Sequence, residues 1–327
     1  MPNTYQLGTI EASEQLIKDL YINLRSRVNA WSEITKQTPQ ARMGYIGQHL
    51  VSVVTGFPGG KSGARGYDLV MDNGNFGEIK TCYRVDQLGE CNDCRSKVSS
   101  LEKECAYCGS RNINRKDDSK WLIAIQHDQE FNEILDPKRY YFVLFEFEDI
   151  NNIDNDTIVA SIWEVNPRNK GFAFCMMDYY LNIRAHSQSK APFNMWPYRL
   201  KFYLSIPYLI YRSFIYGDGT INTTIFPTLN NGYEDKLGPL PTYSSSKNLT
   251  FEAAEAVARK YHALPSRPSF NKKDLLNVLE SKREQLSIPN HELCDSLVDA
   301  IYKPLLDPVK THLPERLRGY YEQFHLL

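Results

Sequence analysis

The stretch Asp68-Leu-Val-Met-Asp-Asn-Gly-Asn-Phe-Gly-Glu-Ile-Lys80 reads as a β-hairpin. Residues 66–71 and 76–83 have strand-like composition, and only the turn-forming triplet Asp72-Asn73-Gly74 interrupts them. Side chains alternate faces along a strand, so the length of the turn decides which residues meet. A two-residue Asn73-Gly74 turn pairs Leu69 with Glu78 and sends Asp68 to the other face. A three-residue Asp72-Asn73-Gly74 loop pairs Met71 with Asn75, and therefore Asp68 with Glu78. The longer loop, a type I turn closed by a left-handed glycine, suits Asp-Asn-Gly and is the expected connection. Glu78 and Lys80 then share a face with Asp68. Opposed carboxylates with Cβ atoms roughly 4.5–5.5 Å apart both reach one small hard cation, and their repulsion is relieved only when it binds. Such a pair suits Mg²⁺. The cation polarises a phosphodiester and lowers the pKa of a bound water, while Lys80 orients that water or stabilises charge in the transition state. Asp…Glu-x-Lys is a loose pattern by itself: Glu280-Ser281-Lys282 also fits Glu-x-Lys, on a predicted helix face.

The flanking sequence supplies an architecture. Ile17, Leu20, Leu24, Val28 and Trp31 recur at helical spacing within 9–32, and Ile46, Leu50, Val53 and Val54 do so within 40–55. Gly56-Phe57-Pro58-Gly59-Gly60 ends the second helix. After the hairpin, 121–127, 140–147 and 158–165 are apolar strands. The expected fold class is α/β, a mixed central sheet flanked by helices, with a helical C-terminal region. From 218 to 249 the chain is rich in Gly, Pro, Asn, Ser and Thr and reads as a loop-rich connection. Beyond it come a helix from Thr250, one capped by Asn271 with Asp274 three residues on, and one after Pro289 that ends before Pro304. The domain reading is therefore a core over 1–217, the connection at 218–249, and helices over 250–327 for dimerisation or DNA recognition.

Helix, Gly-rich bend (Gly59, Gly60, Gly63, Gly66), Gly66-Tyr67-Asp68-Leu69, hairpin, then Gly77-Glu78-Ile79-Lys80-Thr81 resembles the PD-(D/E)XK nuclease core, especially that of type II restriction endonucleases, over roughly residues 40–130. The resemblance implies Mg²⁺-dependent hydrolysis of DNA phosphodiesters. It implies Asp68 and Glu78 as metal ligands with the Ile79 carbonyl as a third, and Lys80 beside the attacking water. Members often carry a further acid on the preceding helix; Gly47-Gln48-His49 stands there in this chain, which makes Gln48 a candidate metal ligand or water organiser. Tyr67 occupies the position that gives the signature its proline. Gln126 and His127 stand where members line the active site, or simply end a strand.

Cys91-x2-Cys94-x10-Cys105-x2-Cys108 is the spacing of a four-thiolate Zn²⁺ site, in which two turns present paired sulfurs to one tetrahedral ion. A closed shell of thiolates leaves no position for water, so the expected role is structural: a zinc knuckle inserted at about 84–118. Its surroundings carry Arg84, Arg95, Lys97, Lys103, Arg111, Arg115, Lys116 and Lys120 among nearly as many acids. Two roles stay open, a knuckle that presses on DNA and one that stiffens the core or meets a partner. Cys82, Cys175 and Cys294 read as ordinary thiols.

With 327 residues, 42% hydrophobic content and 12% aromatics, the chain can bury a proper core. A formal net charge of −1 means that attraction to nucleic acid must be local. The strongest local bias runs from 179 to 217, with five basic residues, eleven aromatics and no acid. Within it Arg184, His186, Lys190, Asn194 and Arg199 are the candidate double-stranded DNA contacts, and at least half of the aromatics within 202–216 are assigned to the core of the C-terminal part. The first thirty residues lack the pattern of a signal sequence and no run is apolar enough for a membrane span, so a cytoplasmic location without membrane contact is expected. The leading reading is a homodimeric, sequence-specific endonuclease matched to a two-fold symmetric site. A structure-specific repair or recombination nuclease and a non-catalytic zinc-knuckle DNA-binding protein are the competitors.

Overall fold

A computed structural model of the chain describes residues 5–35, 44–60, 68–226, 240–241, 249–310, 315, 318–319 and 322. In chain order the elements are α1 (Ile10–Ile17), a π-helical segment (Lys18–Asn23), α2 (Leu24–Thr35), α3 (Gly44–Thr55), β1 (Leu69–Val70), β2 (Phe76–Tyr83), β3 (Leu88–Cys91), β4 (Lys97–Ser99), β5 (Ile113–Asn114), β6 (Trp121–Ile123), α4 (Asp128–Leu135), β7 (Arg139–Phe147) and β8 (Ile158–Val165). There follow α5 (Lys170–Asp178), a second π-helical segment (Tyr179–Arg184), β9 (Phe193–Met195), α6 (Leu200–Leu204), β10 (Tyr208–Ile215), β11 (Ile221–Ile225), α7 (Phe251–Lys260), α8 (Lys272–Leu286) and α9 (Asn290–Leu306). They gather into two compact units: Met1–Trp121 with Arg139–Glu164 and Leu209–Asn230, and Leu122–Lys138 with Val165–Tyr208 and Asn231–Leu327.

The first unit is built on a six-stranded sheet of order β1-β2-β7-β8-β10-β11. β1 and β2 are antiparallel, β2 and β7 parallel, β10 and β11 antiparallel, so the sheet is mixed as expected. α3 packs on β2 and β7, and α1 packs on α3 and β11. The contact between α3 and β2 is unusually close. A Cβ built on Gly47 would stand 2.1 Å from Thr81 Oγ1 and 2.7 Å from Thr81 Cγ2, so only glycine lets the helix lie at this depth. A separate three-stranded sheet, β4-β3-β5, lies within the segment expected to be the knuckle.

The hairpin has the register that makes Asp68 face Glu78: Leu69 pairs with Gly77, Val70 with Phe76, and Met71 N–H donates to the Asn75 carbonyl at 2.9 Å. The turn itself differs from expectation. Asn73 as well as Gly74 has positive φ (58° and 73°), and Asn75 N–H closes on the Asp72 carbonyl at 3.2 Å. Two left-handed central residues give the type I′ twist, which follows the right-handed twist of the strands better than a type I turn, and asparagine accepts that conformation more readily than other side chains.

Other departures have local causes. The π-helical segment shifts the phase of the first helix, so Tyr21 becomes buried while Leu24 and Trp31, expected on the packed face, are exposed (39% and 65%). The run 121–127 shortens to β6, which pairs with β9 outside the central sheet, because His127 caps α4 by accepting from Glu130 N–H at 3.4 Å. Ile221–Ile225, inside the stretch read as loop-rich, pairs with β10. Much of the rest of that stretch, 227–239 and 242–248, lies outside the described residues, as does the 61–67 part of the Gly-rich bend, including Gly63, Gly66 and Tyr67.

The second unit is mainly helical: α5 packs on α6 and α9, and α7 packs on α8 and α9. Thr250 caps α7, and Asn271 with Asp274 forms a reciprocal capping box at the start of α8, as the sequence predicts. Pro304, expected beyond the last helix, lies inside its final turn. There its missing N–H costs a single bond near an end that stops at Leu306 anyway.

Gly47→Ala tests the close approach of α3. Alanine favours a helix by about 1 kcal/mol over glycine, yet the clash with Thr81 should reverse the sign and cost about 2 kcal/mol in urea unfolding. Adding Thr81→Ala should restore most of the loss.

Candidate active site and metal centre

β1 is held from both sides. Gly60 N–H donates to the Asp68 carbonyl at 2.9 Å and Val70 N–H to the Pro58 carbonyl at 3.0 Å, while β2 pairs on the other edge. These bonds fix the Asp68 backbone, and its carboxylate is then gripped twice: Ile79 N–H donates to Oδ2 at 2.9 Å and Gln48 Nε2 donates to Oδ1 at 3.1 Å. Gln48 reaches it because its neighbour Gly47 seats α3 against Thr81. Lys80 Nζ pairs with Glu78 Oε1. Gln48, Asp68, Glu78, Ile79 and Lys80, all chosen from sequence, are thus brought together within the first unit.

Glu78 is the electrostatic centre of the group. Burial pushes its carboxyl above the usual range, Lys80 opposes that shift, and Asp68 adds to it. Its Oε2 is buried and has no hydrogen-bond partner among the described residues. A second carboxylate nearby and an oxygen left unsatisfied are what a divalent cation would correct: it supplies the missing positive charge and a ligand for the orphaned lone pair. The donor set is hard oxygen throughout, so it fits Mg²⁺ and not a thiophilic ion.

The four cysteines also converge. All four Sγ atoms lie within 4.8 Å of one another, with Cys91 and Cys108 at 3.6 Å and Cys94 and Cys105 at 3.5 Å. A tetrahedral ion with Zn–S bonds of about 2.3 Å requires sulfurs roughly 3.8 Å apart, so this cluster can hold zinc. Its two halves share one construction that the cysteine spacing alone does not reveal. In Cys91-Asn-Asp-Cys-Arg-Ser96 the Arg95 N–H donates to the Cys91 carbonyl and the Cys91 N–H to the Ser96 carbonyl, both at 2.9 Å. In Cys105-Ala-Tyr-Cys-Gly-Ser110 the equivalent bonds, from Gly109 to Cys105 and from Cys105 to Ser110, are both 2.8 Å. Arg95 and Gly109 have φ of +64° and +71°, the left-handed step that turns each loop back on itself. The Ser96 hydroxyl and backbone bring the Cys94 thiol down to about 6. Against the pull of the Ser110 backbone, the neighbouring Cys94, Cys91 and Cys105 sulfurs push the Cys108 thiol up to about 12, so the crowded sulfurs do not all ionise together unaided.

The basic residues around the cluster are largely engaged within the first unit. Arg84 donates through Nε to the Asp117 carbonyl at 2.6 Å and pairs with the Asp117 and Glu146 carboxylates at 2.5 and 3.3 Å, which ties the knuckle's exit to its entrance and to β7. Lys103 pairs with Asp156 at 2.6 Å and Arg111 with Asp154. Arg115 donates to the Asn152 and Ile153 carbonyls at 3.4 and 3.2 Å and lies over the Phe147 ring. Arg95 and Lys97 share Glu90.

The candidate DNA contacts lie along residues 184–199 of the second unit. His186, Lys190, Asn194 and Arg199 are exposed, whereas Arg184 is half-buried and donates to the Ser187 carbonyl at 2.9 Å. Of the six aromatics within 202–216, Phe202, Tyr203, Tyr208 and Tyr211 are buried, in line with their assignment to core, and Tyr179 and Phe193 are buried as well. Gln126 is exposed, and His127 serves as the cap of α4. Among the described residues no helix is long and apolar enough to cross a membrane.

A family model described as MamI restriction endonuclease matches residues 30–244, about two thirds of the chain, which include the hairpin, the thiol cluster and the acid-free stretch. No curated protein and no solved structure matches.

The Glu78 shift has a definite sign in stability. With its folded pKa above the unfolded value of about 4.3, the folded chain binds the extra proton between the two values. Stability therefore falls as pH rises through that window and stays reduced above it. In chelator, Glu78→Gln should flatten this fall and melt no lower than wild type at neutral pH. A wild-type melting temperature that instead climbs relative to the variant across the same window would contradict the burial of an ionised Glu78.

Proposed function

Because the chain belongs to the MamI restriction endonuclease family, and so to the DNA endonucleases, we propose that Asp68 and Glu78 hold Mg²⁺ for hydrolysis of the phosphodiester backbone at a specific sequence in double-stranded DNA. The observation that carries this reading is the buried, unpartnered Glu78 Oε2 beside Asp68. The Ile79 carbonyl is the third protein ligand, and the cation supplies Lewis acidity at the phosphate and an acidified water.

The remaining roles fall to the protein's own groups. Ile79 N–H and the Gln48 amide keep the Asp68 carboxylate turned towards Glu78, so no reorganisation is needed when charge develops. Lys80, paired with Glu78, lies where it would orient the attacking water and stabilise the charge growing on the phosphate. His186, Lys190, Asn194 and Arg199, with Arg184 behind them, are assigned to the duplex. A homodimer places one centre on each strand of a two-fold symmetric site.

Zinc in the thiolate cluster is structural, and of the two roles left open by the sequence the ion pairs favour the brace. Six of the eight basic residues around the cluster, Arg84, Arg95, Lys97, Lys103, Arg111 and Arg115, are already engaged with acids or carbonyls of their own unit. The knuckle leaves the sheet after Tyr83, roughly 17 Å along β2 from Glu78 at strand spacing.

Incubation with mixed plasmid and phage DNA should give discrete fragments in Mg²⁺ and none in EDTA, and Glu78→Ala should bind duplex without cutting it. Cutting confined to junctions or flaps would favour a repair nuclease, and absence of cutting in Mg²⁺ a non-catalytic binder. For the knuckle, the purified chain should carry one zinc, and its chelation should expose the 149–157 loop to protease. Lys103→Ala with Arg111→Ala should leave the salt dependence of duplex binding unchanged; a slope reduced by about one per residue would instead place these cations on phosphates.

A further inference from the structure

Two exposed apolar side chains stand close in sequence and register to the acid pair, and the proposed chemistry does not use them. Tyr45 stands on α3 one turn before Gln48 and is 72% exposed. Gly47 against Thr81 fixes the rotation of the helix, which places Tyr45 roughly 60° around the axis from Gln48, on its solvent side. Helical side chains lean towards the N-terminus, so the Gln48 amide meets Asp68 over the very turn that carries Tyr45. On the strand side Val70 follows Asp68 by two residues, shares its face by the strand period, and is 48% exposed. Its cross-strand partner Phe76 is half-buried.

We propose that Tyr45 and Val70 form an apolar rim that seats the sugar and base edge next to the scissile phosphate and thereby positions the strand on the acid pair. The inference rests on the nuclease reading and adds positioning residues to it. Two carboxylates repel a phosphate until a cation arrives, and Lys80 is paired with Glu78. A lysine or arginine at the rim would attract DNA but would also compete with the cation for Asp68 and Glu78. A ring and a branched aliphatic grip the uncharged parts of the nucleotide without that competition. Seated DNA would also exclude water from the centre and strengthen its electrostatics.

Both side chains face solvent, so Tyr45→Ala and Val70→Ser should melt as wild type does. Cleavage of a duplex in Mg²⁺ should show Tyr45→Ala raising KM about tenfold, the scale of one aromatic contact with a nucleotide, with kcat changed little. In a non-cleaving Glu78→Gln background the Kd for the same duplex should rise by a similar factor. Tyr45→Phe should behave as wild type, because the ring and not the hydroxyl makes the contact. Unchanged KM and Kd in both Tyr45→Ala and Val70→Ser would overturn the rim, as would a Tyr45→Phe variant as impaired as Tyr45→Ala. A wild-type chain that binds duplex without cutting it would remove the nuclease reading separately, and the rim would then stand or fall on Kd alone.

Discussion

Asp68 faces Glu78 across a hairpin in which two negative side chains are pressed together and one oxygen, Glu78 Oε2, has lost water without gaining a donor. An unsatisfied buried group costs about 1–3 kcal/mol, and more when charged. The fold therefore has to hold this pair in place against its own repulsion, and several otherwise unrelated features serve that end. The Met71–Asn75 bond across the Asp72-Asn73-Gly74 loop sets the register. Gly60 and Pro58 pin the outer edge of β1. The missing Cβ of Gly47 lets α3 descend far enough for Gln48 to hold Asp68. A substitution at any of these positions acts on the acids without touching them.

The opposite end of the same strand is stiffened by different means. β2 runs from Glu78 to Tyr83 and passes straight into the knuckle, where Arg84 joins Asp117 and Glu146. Isolated surface ion pairs add little to stability. Here they form a connected set around a segment that has only a small apolar core of its own, Cys91, Val98 and Cys105 with Ile113 packed alongside. That core is too small to order the excursion unaided, which explains why four thiolates and a ring of charge pairs accompany it.

How much of this was legible in the sequence depends on how local the cause is. Cysteine spacing, the Asn271–Asp274 capping box and the register of the hairpin are decided within a few residues, and each follows from the sequence. The turn type did not, because a three-residue loop admits more than one backbone path and the twist of the strands selects among them. The π-helical segment at Lys18–Asn23 leaves no mark in composition, yet it turns Leu24 and Trp31 outwards. The departure of β6 from the sheet was hidden as well, since an apolar run does not say which strand it will pair with. At the site, residue types pointed to Asp68, Glu78, Lys80 and Gln48, but the orphaned oxygen and the exposure of Tyr45 are properties of packing alone.

The near-zero net charge, which requires any attraction to nucleic acid to be local, is better understood residue by residue. Most of the knuckle's cations are spent on acids of their own unit, and Lys80 is paired with Glu78. The stretch 179–217 carries five basic residues and no acid, and the Asp68, Glu78 and Lys80 group carries a net negative charge that a divalent ion would neutralise. On the proposed reading phosphate and cation would reinforce one another: the ion would remove the repulsion that DNA meets at Asp68 and Glu78, and the phosphate would add oxygen ligands that two carboxylates alone do not supply. Coupling of this kind is reciprocal, so whatever tightens the hold on the ion tightens the hold on DNA by the same factor. On the proposed reading such a chain would need no strongly basic surface, because the charge that draws the substrate to the cutting centre would be delivered by the metal.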